Sequence, residues 1–208
     1  MSTNRITQAH PFYQFMPILK GIVEKLNAPD VLLSFKEYQY VPAVIDDQHK
    51  IFSVPLYNIN EGWLFKCINS IDSRNEFAIN SSIYVNGKVF HIAMVDLGVN
   101  KITPDAFVVI HEFMEHWKMD FLIFDSGRSL HLYGEKLLEG DEQWVKFMGS
   151  LLLLNKKGGR NLIDTRWVGH RILAGYSSLR WSNNTLQYKR YPKYISRLSD
   201  VVSRCKLN

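Results

Sequence analysis

The sequence predicts an α+β protein built mostly on antiparallel sheet, and three patterns carry that reading. Between residues 31 and 95 short β-branched and aromatic runs follow one another (VLLSF, YVPAVI, KIFSVPLY, WLFKCI, EFAINSSIYV and KVFHIAMV), separated by Asp-Asp, Gly62 and Asn-Gly. The pair Asn86-Gly87 between Tyr84-Val85 and Lys88-Val89-Phe90 is a hairpin signal, because a type I′ turn needs two positive φ values that Asn and Gly tolerate. From Val89 to Asp164 the apolar period alternates between two and 3.6, in the order strand, helix, strand, strand, helix, strand.

Each element has a local cause. Residues 11–27 read as helical after Pro17, with Ile18, Ile22 and Leu26 as one apolar stripe, ended by Asn27-Ala28-Pro29-Asp30. Thr103 caps and Pro104 starts a helix to about Trp117, with Asp105 near its N-terminus and Phe107, Ile110, Phe113, Met114 and Trp117 inward. A strand over 120–124 then breaks at Ser126-Gly127, and a new extended segment carries Arg128, Ser129 and His131. A second helix over 141–154 turns Trp144, Phe147, Met148, Leu151 and Leu152 inward and stops at Asn155-Lys156-Lys157-Gly158-Gly159. A last apolar strand ends at Asp164, so this half is expected to be RRM-like, with its helices on one sheet face.

Composition narrows the function classes. With 46% hydrophobic and 22% charged residues the chain is expected to bury a sizeable core. A net charge of +5 tilts toward a polyanionic partner, and the excess lies late, at Arg180, Lys189, Arg190, Lys193, Arg197, Arg204 and Lys206 against Asp200 alone. Cys67 and Cys205 suit neither a disulfide framework nor a metal cluster, and the longest apolar run, Leu151 to Leu154, is far below a membrane span, so a soluble, cytoplasmic protein is expected. His111 and His116 stand about 140° apart on a helix and do not share a zinc-binding face. Gly158-Gly159 lacks the Gly-Lys-Ser/Thr of a P-loop.

Candidate chemistry concentrates in FLIFDSGRSLH (121–131) and in NLIDTRWVGHRILAGYSSLRWS (161–182). Ser129 and His131, two apart on a strand, point to one face. A hydroxyl, an imidazole and a guanidinium beside a glycine turn suit a triphosphate, and Asp164 supplies a hard oxygen ligand for Mg²⁺ or Mn²⁺.

These segments resemble the archaeo-eukaryotic primase superfamily, the primase-polymerases included. The resemblance rests on Ser126-Gly127-Arg128-Ser129-Leu130-His131, matching an SGRxxH phosphate motif. It rests also on Leu162-Ile163-Asp164, matching a strand ending in Asp, followed by a basic strand with Arg166, His170 and Arg171 and then by Arg180. It implies an RRM-like primase-polymerase catalytic core over residues 83–208 with a basic C-terminal segment, preceded by an N-terminal α+β portion of the same domain over 1–82. It also implies a nucleotidyltransferase acting with metal and nucleoside triphosphates on a DNA or RNA primer-template. Asp96 and Asp164 would hold the metal and act catalytically with His131. Ser126, Gly127, Arg128, Ser129, His131, Arg171 and Arg180 would bind nucleotide, and Arg166, Lys189, Arg190 and Lys193 nucleic acid. The first motif of that family carries two carboxylates separated by one residue, whereas this chain reads Asp96-Leu97-Gly98, with Asp125 as a conceivable substitute. The rival expectation is a primase fold kept only as a nucleotide- or DNA-binding module, in company with protein partners of a larger replication or defence assembly.

Overall fold

A computed structural model of the chain describes residues 6–41, 44, 49–159, 161–185 and 187–205, with side chains to residue 201. Strand β1 (Val31–Tyr38) follows helices α1 (Pro11–Gln14) and α2 (Met16–Glu24). Then come β2 (His49–Pro55), α3 (Glu61–Ser70), β3 (Glu76–Val85), β4 (Lys88–Leu97) and α4 (Pro104–Trp117). The hairpin β5 (Phe121–Asp125) and β6 (Leu130–Glu139) leads to α5 (Gly140–Leu151), α6 (Thr165–Ala174), β7 (Ser178–Arg180), β8 (Lys193–Arg197) and α7 (Leu198–Cys205). The strands form one antiparallel sheet in the order β2-β1-β3-β4-β6-β5-β8, with β7 pairing separately on β3. The sheet runs without a break from the N-terminal strands into the later ones.

The predicted α+β order is realised from β4 onward, with β4 flanked by β6 and, at its far end, by the bridge Leu97↔Ile163. That fourth strand is a bridge rather than a strand, since the Asn155 side chain takes over the partner role. It accepts from Ile163 N at 2.8 Å and donates to Ile163 O at 3.0 Å, which sets where Asp164 stands.

Four expectations are corrected. The apolar run WLFKCI is the middle of helix α3, because Asn60 caps it by accepting from Trp63 N at 2.9 Å and Leu64 and Ile68 are its buried positions. The segment after Asp164 is helix α6, not a basic strand: the aspartate is its N-cap, accepting from Arg166 N and Trp167 N. Helix α2 buries Met16, Leu19 and Val23, while Leu26 is exposed, so its inward stripe is rotated from the one anticipated. Leu152 points outward where the end of α5 tightens into a 3-10 turn. As expected, the two helices of the half from β4 onward, α4 and α5, pack on one sheet face, while Phe15 and α2 of the N-terminal portion pack on the other, against Tyr133 of β6. The run YVPAVI lies largely outside the described residues.

Two apolar clusters sandwich the sheet, one around Phe121, Trp144 and Phe147, the other around Phe35, Phe77 and Trp181. Each such fully buried ring contributes roughly 1.5–3 kcal/mol. Strand β3 changes partner within its length, pairing with β4 over Ser82–Val85 and with β7 over Ala78–Asn80. At that fork Ser81 N donates to Ser177 O, and Ser177 N donates back to Ser81 Oγ. His91 joins in, its Nδ1 3.0 Å from Ser81 Oγ and its Nε2 2.9 Å from Asp141 Oδ1. This serine, histidine and aspartate form no nucleophile: Ser81 is fully buried and its oxygen already accepts a backbone N–H.

His10 couples the N-terminus to this framework, with Nε2 2.7 Å from Trp181 O and Nδ1 accepting from Phe12 N. Burial holds its pKa down to about 4. The unfolded chain therefore binds the proton more tightly, and stability present above pH 6.5 is lost as the pH falls toward 4. We expect His10→Asn, which keeps the cap without titrating, to flatten the loss of chemical stability between pH 6.5 and 4 by up to about 1.4 kcal/mol per pH unit. Denaturant unfolding of both proteins across that range measures it, and equal slopes would contradict the assignment.

Candidate active site

The site lies where the end of β4, the β5–β6 turn, the start of α6 and β7 converge, in a cleft of about 360 Å³. Asp96 and His131 stand directly opposite each other on β4 and β6. The β5–β6 turn is closed by Ser126 N donating to Ser129 O, and by Ser126 Oγ accepting from Ser129 N at 3.1 Å. Gly127 holds φ at +92°, a conformation that only glycine adopts cheaply, and its N–H donates to Asp125 Oδ1 at 2.7 Å. Ser129 Oγ then donates to Asp96 Oδ1 at 2.8 Å.

The carboxylates come from different elements. Burial, partly countered by the Ser129 hydrogen bond and increased by the charge of Asp164, pushes the pKa of Asp96 up to about 6. Each aspartate has one oxygen engaged, Oδ1 of Asp96 by Ser129 and Oδ1 of Asp164 by the cap of α6. Among the described residues no hydrogen bond engages the second oxygen of either. Burial and the charge of Arg180 hold the pKa of His131 down to about 3, so its ring is neutral, and at 3.9 Å from Asp96 Oδ1 it forms no ion pair. Among the described residues its buried Nδ1 finds no hydrogen-bond partner.

Of the anticipated residues, Asp96, Ser126, Arg128, Ser129, His131, Asp164, Arg166, Arg171 and Arg180 all line this one cleft. Arg171 is buried and donates to Ser178 Oγ at 2.8 Å. Arg166 reaches across the mouth to Val44 O at 2.7 Å. The guanidinium of Arg180 is committed to Ser126 O, Ser182 O and Arg190 O and stacks on the Tyr188 ring at 3.9 Å. Lys189, Arg190 and Lys193 do not line the cleft. Arg190 pairs with Asp125 Oδ2 at 3.0 Å, which with the Gly127 bond engages both Asp125 oxygens, and Asp125 does not line the cleft. Lys189 and Lys193 are exposed nearby, and Lys193 sits opposite Asp125 on β8.

Sequence reasoning missed Lys36, Tyr38 and Tyr188, which complete the wall. The only signal was the alternation of polar Ser34, Lys36 and Tyr38 with apolar Leu33 and Phe35, a pattern that ordinarily marks a solvated strand face. The cleft thus holds five cationic side chains against two carboxylates, so its field favours a polyanion.

A strand-end aspartate, a serine-glycine turn and a helix-capping aspartate gathered on a β-α-β-β-α-β core define a primase-fold protein. The chain belongs to the archaeo-eukaryotic primase 1D-like family, whose sequence profile matches residues 55–193. No curated protein and no solved structure matches it. Among the described residues no helix is long and apolar enough to cross a membrane.

The raised pKa of Asp96 has a consequence for stability. Its folded value of about 6 lies above the ordinary 3.8, so ionisation above pH 6 costs folding energy that vanishes as the pH falls toward 3.8. Asp96→Asn keeps an acceptor for Ser129 and removes that cost. With its side chain 27% exposed and therefore partly screened, the metal-free variant should be more stable than wild type at pH 8 by on the order of 1–2 kcal/mol. Denaturant titrations at pH 8 and pH 4 measure it, the difference shrinking at pH 4.

Proposed function

We propose that this protein is a nucleotidyltransferase of the primase-polymerase type, joining nucleoside triphosphates to a nucleic-acid primer-template. The observation that carries this reading is the convergence of Asp96, Asp164 and the 126–131 turn in one cation-rich cleft. The donor set suits Mg²⁺ or Mn²⁺: two carboxylates with one oxygen each to spare leave the remaining positions to substrate phosphates and water, a usual arrangement for Mg²⁺. Among the described residues no three His, Cys, Asp or Glu side chains cluster closely enough to hold an ion by themselves. Asp96 and Asp164 would hold the metal, which supplies charge neutralisation at the phosphates and acidifies an attacking hydroxyl.

The chain's own groups do the rest. Arg128 donates to phosphate oxygens, while Ser129, whose hydroxyl donates to Asp96, and the Gly127 N–H, held by Asp125, fix the turn that presents it. The neutral ring of His131, protonated on one nitrogen, donates one hydrogen bond without competing for Asp96. Arg171 and Arg180 offset negative charge growing on the departing pyrophosphate, Arg180 by its field, since its donors are mostly engaged. Arg166, Lys189 and Lys193 are placed to meet a nucleic-acid backbone, while Arg190 acts by holding Asp125 and the turn. A second reading, a binding module without chemistry, is favoured by one feature, the absence of a carboxylate at Gly98.

Incubating the protein with Mn²⁺, labelled nucleotides and a primed template separates the two readings. Asp164→Asn should retain wild-type unfolding behaviour, because Asn caps a helix as well as Asp. Its Mn²⁺-dependent triphosphate binding and incorporation should be lost. Undiminished Mn²⁺ and nucleotide affinity in that variant would remove the metal assignment. A Cβ at Gly98 would lie 3.6 Å from both Asp164 N and Asn161 O, ordinary contact distances, so Gly98→Asp fits. That variant should raise Mn²⁺ affinity in isothermal titration, by about ten-fold if the added carboxylate contributes ~1.4 kcal/mol; unchanged affinity would show that position 98 lies outside the coordination sphere.

A further inference from the structure

Glu76 opens β3 and is fully buried, yet it takes no part in the cleft wall. Its carboxylate is surrounded by donors. Oε1 accepts from Thr185 N at 2.8 Å and from Thr185 Oγ1 at 2.6 Å, while Oε2 accepts from Ser182 Oγ and from Asn184 N at 3.2 Å. These four donors fill the lone-pair directions that a carboxylate offers, and all of them come from the chain just past β7. An apolar side chain in its place would avoid the cost of burying a carboxylate but would gather none of them.

The gathered segment is the ground on which Arg180 rests. Ser182 stands between the two: its hydroxyl donates to Glu76 and accepts from Phe77 N at 2.7 Å, and its carbonyl accepts from the Arg180 guanidinium. Trp181 N and Ser182 N both donate to Phe77 O, which fastens the same corner to β3. Thr185 Oγ1 accepts in turn from Gln187 N at 3.4 Å, next to Tyr188, whose ring carries the Arg180 guanidinium. Tyr38, opposite Glu76 on β1, hydrogen-bonds to Tyr188 and braces that ring. Two residues beyond Tyr188, Arg190 offers its carbonyl to Arg180 and its guanidinium to Asp125. Of the groups that seat Arg180, then, Ser182 O, the Tyr188 ring and Arg190 O lie on this segment, and Ser126 O belongs to the 126–131 turn. Resting on the triphosphate reading above, we infer that Glu76 is a positioning residue: by gathering residues 182–185 it holds Arg180 against Ser126 O and so fixes the turn that presents Arg128 to a phosphate.

The test compares full-length wild type, Glu76→Gln and Thr185→Val. Gln has the same shape but turns an N–H₂ group toward one pair of donors, so at least one of them loses its acceptor. Thr185→Val removes the hydroxyl donor alone and keeps the backbone bond. Residue-resolved amide hydrogen exchange is measured without ligand, and equilibrium affinities with Mn²⁺ are measured for a nucleoside triphosphate and its nucleoside. In Glu76→Gln the amides of Ser126, Gly127 and Ser129 should exchange about ten-fold faster while those of α5 keep their wild-type rates, and triphosphate affinity should fall about ten-fold with nucleoside affinity unchanged. Thr185→Val should move both readouts the same way by less, and it decides the matter if Glu76→Gln does not fold. Wild-type exchange in the turn overturns the inference. So does exchange raised equally in the turn and in α5, which makes Glu76 a structural residue, or a loosened turn with undiminished triphosphate affinity. Tighter triphosphate binding in Glu76→Gln also overturns it, since the carboxylate would then act only as a countercharge to Arg180. Selective loosening of the turn in a protein whose wild type binds no triphosphate supports the positioning role and overturns the triphosphate reading.

Discussion

The guanidinium of Arg180 is the constraint on which the site depends. From the short strand β7 it reaches carbonyls in three other places, Ser126 in the β5–β6 turn, Ser182 beyond its own strand and Arg190 in the segment leading to β8, and its face rests on Tyr188. Breaking such a buried charged network typically costs several kcal/mol, because its carbonyls lose their donors in a place water does not reach. The turn that presents Ser129 is thereby tied to β3, β7 and β8 at once, and rigidity where phosphates would sit follows from that knot.

The same cation sets the electrostatics. Its field opposes a second positive charge, which helps keep the His131 ring neutral, and it partly offsets the cost of an ionised Asp96. Asp96 nevertheless remains destabilised by burial and by Asp164, so two like charges are held near each other at some expense to folding. A fold free to maximise stability would replace one of them with a neutral side chain; retaining both is understandable where a divalent cation and its polyanionic ligand complete the balance. Ser129 and the α6 cap each claim one oxygen and so orient the two carboxylates.

Much of this was legible in the chain. Asn86-Gly87, Thr103-Pro104, the α4 and α5 stripes and the 126–131 motif act through neighbours within a few residues, so local sterics and capping suffice to announce them. Helix α3 and helix α6 were misread because the same apolar spacing is compatible with strand or helix when the cap residue is overlooked, and Asn60 and Asp164 are those caps. Asp164 was singled out as a carboxylate, but its second role, ordering the first turn of α6, is a hydrogen-bond geometry that composition does not display.

By itself the sequence determined the α+β class, the order of elements from β4 to α5 and the identity of the 126–131 turn, because periodicity, capping and glycine conformation are properties of adjacent residues. Only the tertiary structure decided that β3 exchanges β4 for β7 along its length, that Arg180 braces the 126–131 turn, and that Lys36 lines the same cleft as Ser129. Those outcomes depend on pairings between strands far apart in the chain, and on which charges lose their water together, quantities that no local pattern encodes.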